Sequence, residues 1–153
     1  MSNISSILKS IQTIMWQDTG LNGDAQRIEQ LGWMLFLKIV SDKDKELELL
    51  DDNYTSPIPD LFHWVKEKGN WAGDDEGMTG DELLEFVDRQ LFPALRNIDV
   101  SSGNRRALIV REVFEGNNNY MKSGINIRKV LNMLNEMDFS IAKDRHAFGE
   151  LYE

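Results

Sequence analysis

A chain of 153 residues is long enough for one domain with a sizeable core, and 41% hydrophobic against 28% charged residues is the balance of a globular protein. No apolar run approaches the roughly 18 residues of a membrane span, the N-terminus lacks the basic start and apolar stretch of a signal peptide, and the absence of cysteine excludes disulfides and thiolate metal sites. The net charge of −9 excludes a free-standing nucleic-acid binder that works by bulk charge, because neutralising phosphate needs Lys and Arg; the expectation is a cytoplasmic protein of bacterial or archaeal type with no membrane partner.

Ile4, Ile7, Leu8, Ile11, Ile14 and Met15 recur at helical spacing behind Ser2 or Asn3 as N-caps, and predict a first helix ending near 16–18. Thr19-Gly-Leu-Asn-Gly23 reads as a loop. Asp24 is the expected cap of a second helix running to about Leu50, on the order of 40 Å long at about 1.5 Å per residue. Its middle, 31–40, is apolar nearly all round and should be buried by several neighbours. Its charged end, 42–50, is predicted to face water; Asp42-Lys-Asp-Lys-Glu-Leu-Glu48 resembles a calcium loop only superficially, lacking the turn glycine.

Pro57, Pro59 and the apolar 61–65 predict a short helix after a turn, then a loop at 69–80 holding Trp71. Thr79-Gly-Asp-Glu82 has the form of a capping box and opens a helix carrying Leu83, Leu84, Val87, Leu91 and Leu95. Pro93 should kink or restart that helix. Further helices are expected over 104–114 and through Ile127, Val130, Leu131, Leu134 and Met137. A last amphipathic stretch, 144–152, reaches Glu153 without a closing Gly, Asn or Pro; a fraying terminal helix can end so naturally, but a stop on the apolar face reads as a boundary within a longer protein. With no period-two alternation, the expected fold is all-α, a compact single-domain bundle of about six or seven helices.

No residue pattern here supports catalysis. There is no Gly-x-Gly and no phosphate-binding Gly-x-x-x-x-Gly-Lys loop, and His63 and His146 stand far apart without a recognisable partner. No catalytic, cofactor-binding or metal-ligating residue is assigned. Among the four tryptophans, Trp16 and Trp33 are expected in the core, while Trp71 is the one a loop leaves undecided. Charge is uneven: positions 42–88 hold fifteen acids against four bases, and 103–131 hold six bases against two acids. Such polarity suits one face for a polyanion and another for solvent or protein, and equally suits two solvated faces.

Four segments, read in order, resemble the N-terminal domain of type I restriction–modification modification subunits. They are Ile14-Met-Trp-Gln-Asp-Thr-Gly-Leu-Asn-Gly-Asp-Ala-Gln-Arg-Ile-Glu-Gln-Leu31, running into Trp33-Met-Leu-Phe-Leu-Lys-Ile-Val-Ser-Asp42; Trp71-Ala-Gly-Asp-Asp-Glu-Gly-Met-Thr-Gly-Asp-Glu-Leu-Leu84 with Gln90-Leu-Phe-Pro-Ala-Leu95; Val113-Phe-Glu-Gly with Asn119-Tyr-Met-Lys-Ser-Gly124; and Asn135-Glu-Met-Asp-Phe139 with Asp144-Arg-His-Ala-Phe-Gly-Glu-Leu-Tyr-Glu153. The resemblance implies that residues 1–153 are the N-terminal helical domain of an adenine-specific DNA methyltransferase, ending where its catalytic domain starts. It implies S-adenosylmethionine as cofactor of the full-length parent, bound by a glycine-rich loop. It also implies an Asn-Pro-Pro-aromatic motif for a flipped adenine. Neither motif occurs in this sequence, so the segment alone is expected to transfer no methyl group.

The implied partners are double-stranded DNA within a complex, a specificity subunit, a second modification subunit and a restriction subunit. On this reading Arg105, Arg106, Lys122, Arg128 and Lys129 are candidate phosphate contacts, which position without specifying sequence. Two alternatives stand beside it: an acidic helical adaptor, and a DNA-mimic inhibitor. A mimic should spread its acids over one surface and lack a basic stretch, so the 103–131 segment counts against it.

Overall fold

The computed structural model describes residues 2–64, 69–73 and 77–137. It is all-helical: α1 (Ser2–Trp16), α2 (Asp24–Leu50), a 3-10 turn at Asp60–Phe62, α3 (Gly80–Phe86), a π turn at Val87–Leu91, α4 (Phe92–Arg96), α5 (Arg105–Glu115) and α6 (Gly124–Leu134). Because α3, the π turn and α4 run on as one rod, the described residues hold five helices, fewer than the six or seven expected. Of the short helix predicted around 61–65, the described residues show a 3-10 turn at Asp60–Phe62, and the helix predicted over 144–152 lies outside the described residues.

Local rules account for most ends. Asn104 caps α5 by accepting from the Arg106 and Ala107 amides, and Ser123 caps α6 by accepting from the Asn126 amide. Asp24 does not cap α2: Gly23 holds that position at φ 96, and Asp24 instead pairs with Arg27 at 2.6 Å. Thr79 is the N-cap of α3, but its side chain makes no capping hydrogen bond. Pro93 does not end its helix. Its ring lacks an amide and would crowd the carbonyl four residues back. The π turn immediately before α4 widens the ladder at that point, so the rod continues.

The core gathers one face of every helix. Ile4, Ile7, Ile11 and Met15 of α1 meet α6, which also packs on α3, while α4 packs on α5. α2 runs through this assembly with Trp33, Met34, Leu35 and Leu37 almost wholly buried, as its all-round apolar middle requires. Trp33 stands edge-on to Phe92 and Phe114, with centroids 4.9 and 5.9 Å away.

Among the tryptophans, the undecided Trp71 joins the core and Trp16 leaves its expected place there. Trp71 is buried, donating from Nε1 to the Phe62 carbonyl and packing against Trp64 and Phe86. Trp16 is 68% exposed, with the Arg27 guanidinium lying over its ring at 3.7 Å. Helical spacing put Trp16 near the core face, but it is the last residue of α1, where that face has run out of neighbours.

No helix among the described residues is long and apolar enough to cross a membrane.

Candidate nucleic-acid interface

The acidic end of α2 is not the solvated face that its sequence suggests. Asp42 is buried with Lys38, 2.6 Å from its ammonium, and Asp44 is fully buried. The Asp44 carboxylate accepts from the Tyr54 hydroxyl at 2.6 Å, the Ser56 hydroxyl at 2.5 Å and the Arg106 guanidinium at 2.9 Å. A buried carboxylate survives only when paired and fully hydrogen-bonded, and these three donors supply that. Arg106 is thereby committed to an internal ion pair joining α5 to α2. Arg105, its neighbour, is exposed at the start of α5, whose first turn carries no acid. The positive end of the helix dipole adds to its charge there.

Burial, helped by the Asp44 carboxylate, pushes the Tyr54 phenol up to about 12 from the ordinary 10.0. The unfolded chain gives up this proton first. The stabilisation is therefore complete below pH 10 and is lost as pH rises from 10 through about 12. In a phenolate absorbance titration, Tyr54→Phe is expected to remove an ionisation step near pH 12. Persistence of that step in the variant would assign it to another tyrosine and overturn the raised Tyr54 phenol.

Lys122 is carried on a loop, 117–123, with no regular structure of its own. Arg96 holds its start, donating to the carbonyls of Phe114 and Asn117, each at 2.7 Å. Gln30, buried on α2, accepts from the Tyr120 amide at 2.7 Å and donates to the Asn119 side chain at 2.8 Å. Asn119 in turn donates to Asp88 at 2.8 Å. Asp18, buried in the α1–α2 turn, accepts from the amides of Lys122 at 2.9 Å and Ser123 at 3.1 Å, and from that of Gly20 at 2.9 Å. Met121 of the same loop is fully buried. Glu29 beside Tyr120 pushes that phenol up as well.

Two glycines make these approaches possible. A side chain on Gly20 would put its Cβ 1.9 Å from the Tyr120 carbonyl oxygen and 2.6 Å from Cγ of Lys122. The Lys122 stem therefore lies across a turn that only glycine leaves open. Gly124 touches Gly80 in the same way, so the starts of α6 and α3 meet backbone to backbone.

On α6, Arg128 is spent internally: it donates to the carbonyls of Ala72 at 2.7 Å, Met78 at 3.1 Å and Trp71 at 3.4 Å, tying Trp71 and Ala72 to Met78. Lys129 is exposed.

The five candidate phosphate contacts are thus not one patch. Arg106 reaches α2 at Asp44, whereas the Lys122 loop reaches it at Gln30, fourteen residues earlier. At about 1.5 Å per residue the two anchor points are about 21 Å apart along the helix. Arg105, Lys122 and Lys129 present their charge outward, with no ion-pair partner among the described residues; Arg106 and Arg128 are engaged internally. Periodicity missed Asp18, Gln30 and Arg96, although the first two lie inside the first family-like segment.

This architecture is shared. The family model described as the HsdM N-terminal domain matches residues 4–134. The chain is 49% identical over 152 residues to the type I restriction enzyme EcoEI methylase subunit of Escherichia coli, covering 99% of this chain and 30% of that protein. A crystal structure of a type I modification subunit from Vibrio vulnificus YJ016 superposes with a TM-score of 0.86 at 29% identity, over 99% of this chain and 34% of that one. A chain solved in work on complex assembly and conformational transition of the type I restriction–modification system gives a TM-score of 0.75 at 28% identity, over 94% of this chain and 27% of that one. The segment therefore spans about a third or less of each of these relatives. With the family model matching most of its length and these relatives matching nearly all of it, the chain belongs to the HsdM N-terminal domain family of type I modification subunits.

Proposed function

We propose that this domain embraces DNA and helps assemble the complex of a type I adenine-N6 DNA methyltransferase, with a catalytic domain following it in the parent subunit. The observation that carries the reading is the split in the basic residues. On a chain of net charge −9, Arg105, Lys122 and Lys129 are left facing outward from rigid supports. Such cations suit phosphate contacts, which set register on a duplex and leave sequence reading to another subunit. Specificity, restriction and second modification subunits are the partners that fit this role.

S-adenosylmethionine serves the parent as methyl donor. Residues 1–153 offer it no glycine-rich loop, so no residue here is assigned to it and no methyl transfer is expected of the segment. The outward-facing Arg105, Lys122 and Lys129 count against the acidic-adaptor and DNA-mimic readings. Asp18, Asp42 and Asp44 are consumed inside the fold, not displayed as a phosphate-like surface.

The test is DNA binding by the intact subunit in its complex. Arg105→Gln and Lys129→Gln should each flatten the salt dependence by about 0.9 in log–log slope, a loss of about eight-fold at about 0.1 M salt. Arg106→Gln should act mainly on thermal stability, since it breaks an internal pair. Unchanged affinity at low salt for both outward-facing variants would remove these residues from the interface.

A further inference from the structure

Lys122 combines two properties that ordinary surface lysines do not share. Its ammonium end is exposed and has no ion-pair partner among the described residues, yet the backbone that carries it is held as firmly as a core segment. Its amide is bonded to Asp18, its neighbour Ser123 to the other oxygen of the same carboxylate, and its stem lies across Gly20. Two residues earlier the Tyr120 amide is bonded to Gln30. Both anchors are buried, Asp18 at 3% exposure and Gln30 at 0%. A lysine needed only for solubility gains nothing from this, because solvation is satisfied by a mobile side chain. A lysine that must meet a fixed anion gains directly, since a preformed contact avoids the entropy of ordering a loop on binding.

We propose that Asp18 and Gln30 are positioning residues for DNA binding, holding 119–123 as a preformed arch so that the Lys122 ammonium stands ready for a backbone phosphate. The inference rests on the DNA-embracing role proposed above and deepens it. Neither Asp18 nor Gln30 touches DNA; each acts through the backbone of the arch. Lys122 is the contact, and the Gly20 turn is the seat for its stem. The arch offers one point charge and no bidentate fork, so it suits a phosphate and does not discriminate bases.

The experiment measures binding of the intact subunit, in its complex, to a fluorescein-labelled duplex of arbitrary sequence across a salt series. Lys122→Gln should weaken binding about eight-fold at about 0.1 M salt and lower the slope by about 0.9, while Lys122→Arg should stay near wild type. Asp18→Asn and Gln30→Met should each weaken binding several-fold. The double variant D18N/K122Q should bind no worse than K122Q alone, because both changes remove the same contact.

A purely structural role for Asp18 predicts the opposite: a lowered melting temperature with slope and affinity unchanged, or losses that multiply in the double variant. Either result overturns the positioning role while leaving the DNA-embracing role standing if K122Q itself weakens binding. No effect of K122Q overturns the arch as a contact, and the Arg105 and Lys129 variants then judge the broader reading by themselves. Should D18N fail to fold, Q30M, which keeps the buried volume, carries the test.

Discussion

Replacing Trp33 with alanine is expected to cost about 3–5 kcal/mol, a large share of the roughly 5–15 kcal/mol that holds a domain together. The indole sits at 0% exposure in the middle of α2, edge-on to Phe92 of α4 and Phe114 of α5. Those two rings also face each other with centroids 5.0 Å apart, so the three aromatics form one block between three helices. Helices fixed by many other contacts cannot close over the missing indole, and a cavity remains. At about 3 °C per kcal/mol for a chain of this size, thermal unfolding followed by circular dichroism should show a drop of roughly 10–15 °C. The indole N–H has no acceptor among the described residues, so its contribution is volume and ring contact. Trp33→Phe should therefore recover most of the loss. A drop of only a degree or two in the alanine variant would mean that α2 does not organise the core.

Gly124→Ala should be nearly as damaging for the opposite reason. An added Cβ would stand 1.7 Å from the Gly80 carbonyl oxygen and 2.4 Å from its carbon. Both are backbone atoms, so no side-chain rotation relieves the clash; the start of α6 must move away from the start of α3. Overpacking of a close contact commonly costs 1–3 kcal/mol, and a clash of this depth against main chain belongs at about 3 kcal/mol or above. The opposing residue is an internal control. Gly80 has open space at its Cβ but a φ of +60, so Gly80→Ala should cost only the left-handed penalty, about 1–2 kcal/mol. Equal melting temperatures for the two variants would refute the backbone-to-backbone contact.

Much of the fold was legible before any coordinate. Apolar residues at helical spacing located α1, α2, α5 and α6, because a helix buries one stripe and the stripe is written in the chain. The caps were less legible: Gly23 stands where Asp24 was expected, Thr79 makes no capping hydrogen bond, and the caps that do bond are Asn104 and Ser123. The turn at 19–23 followed from its glycines. The ordered family-like segments pointed to the membership that the relatives show, and the structure adds why they belong together: Asp18 and Gln30 of the first hold Lys122 and Tyr120 of the third.

The interface was less legible. The bases of 103–131 lie near one another in sequence, which left a single face for a polyanion and a merely solvated face equally open. In the fold that stretch is divided between two anchor points on α2, and Arg106 and Arg128 turn inward. Trp16 was misplaced because periodicity assigns a face but not where along the helix its neighbours stop.

The sequence by itself determined what depends on residues within about a turn of one another: the helical class, the main helices and loops, and the absence of a glycine-rich cofactor loop. Tertiary structure decided which charges are spent and which are displayed. Asp44 and Arg106 are 62 positions apart, and Asp18 and Lys122 are 104 apart. Whether such a charge ends buried in a pair or standing in water is set by helix packing, a many-body result with no local signature in the chain.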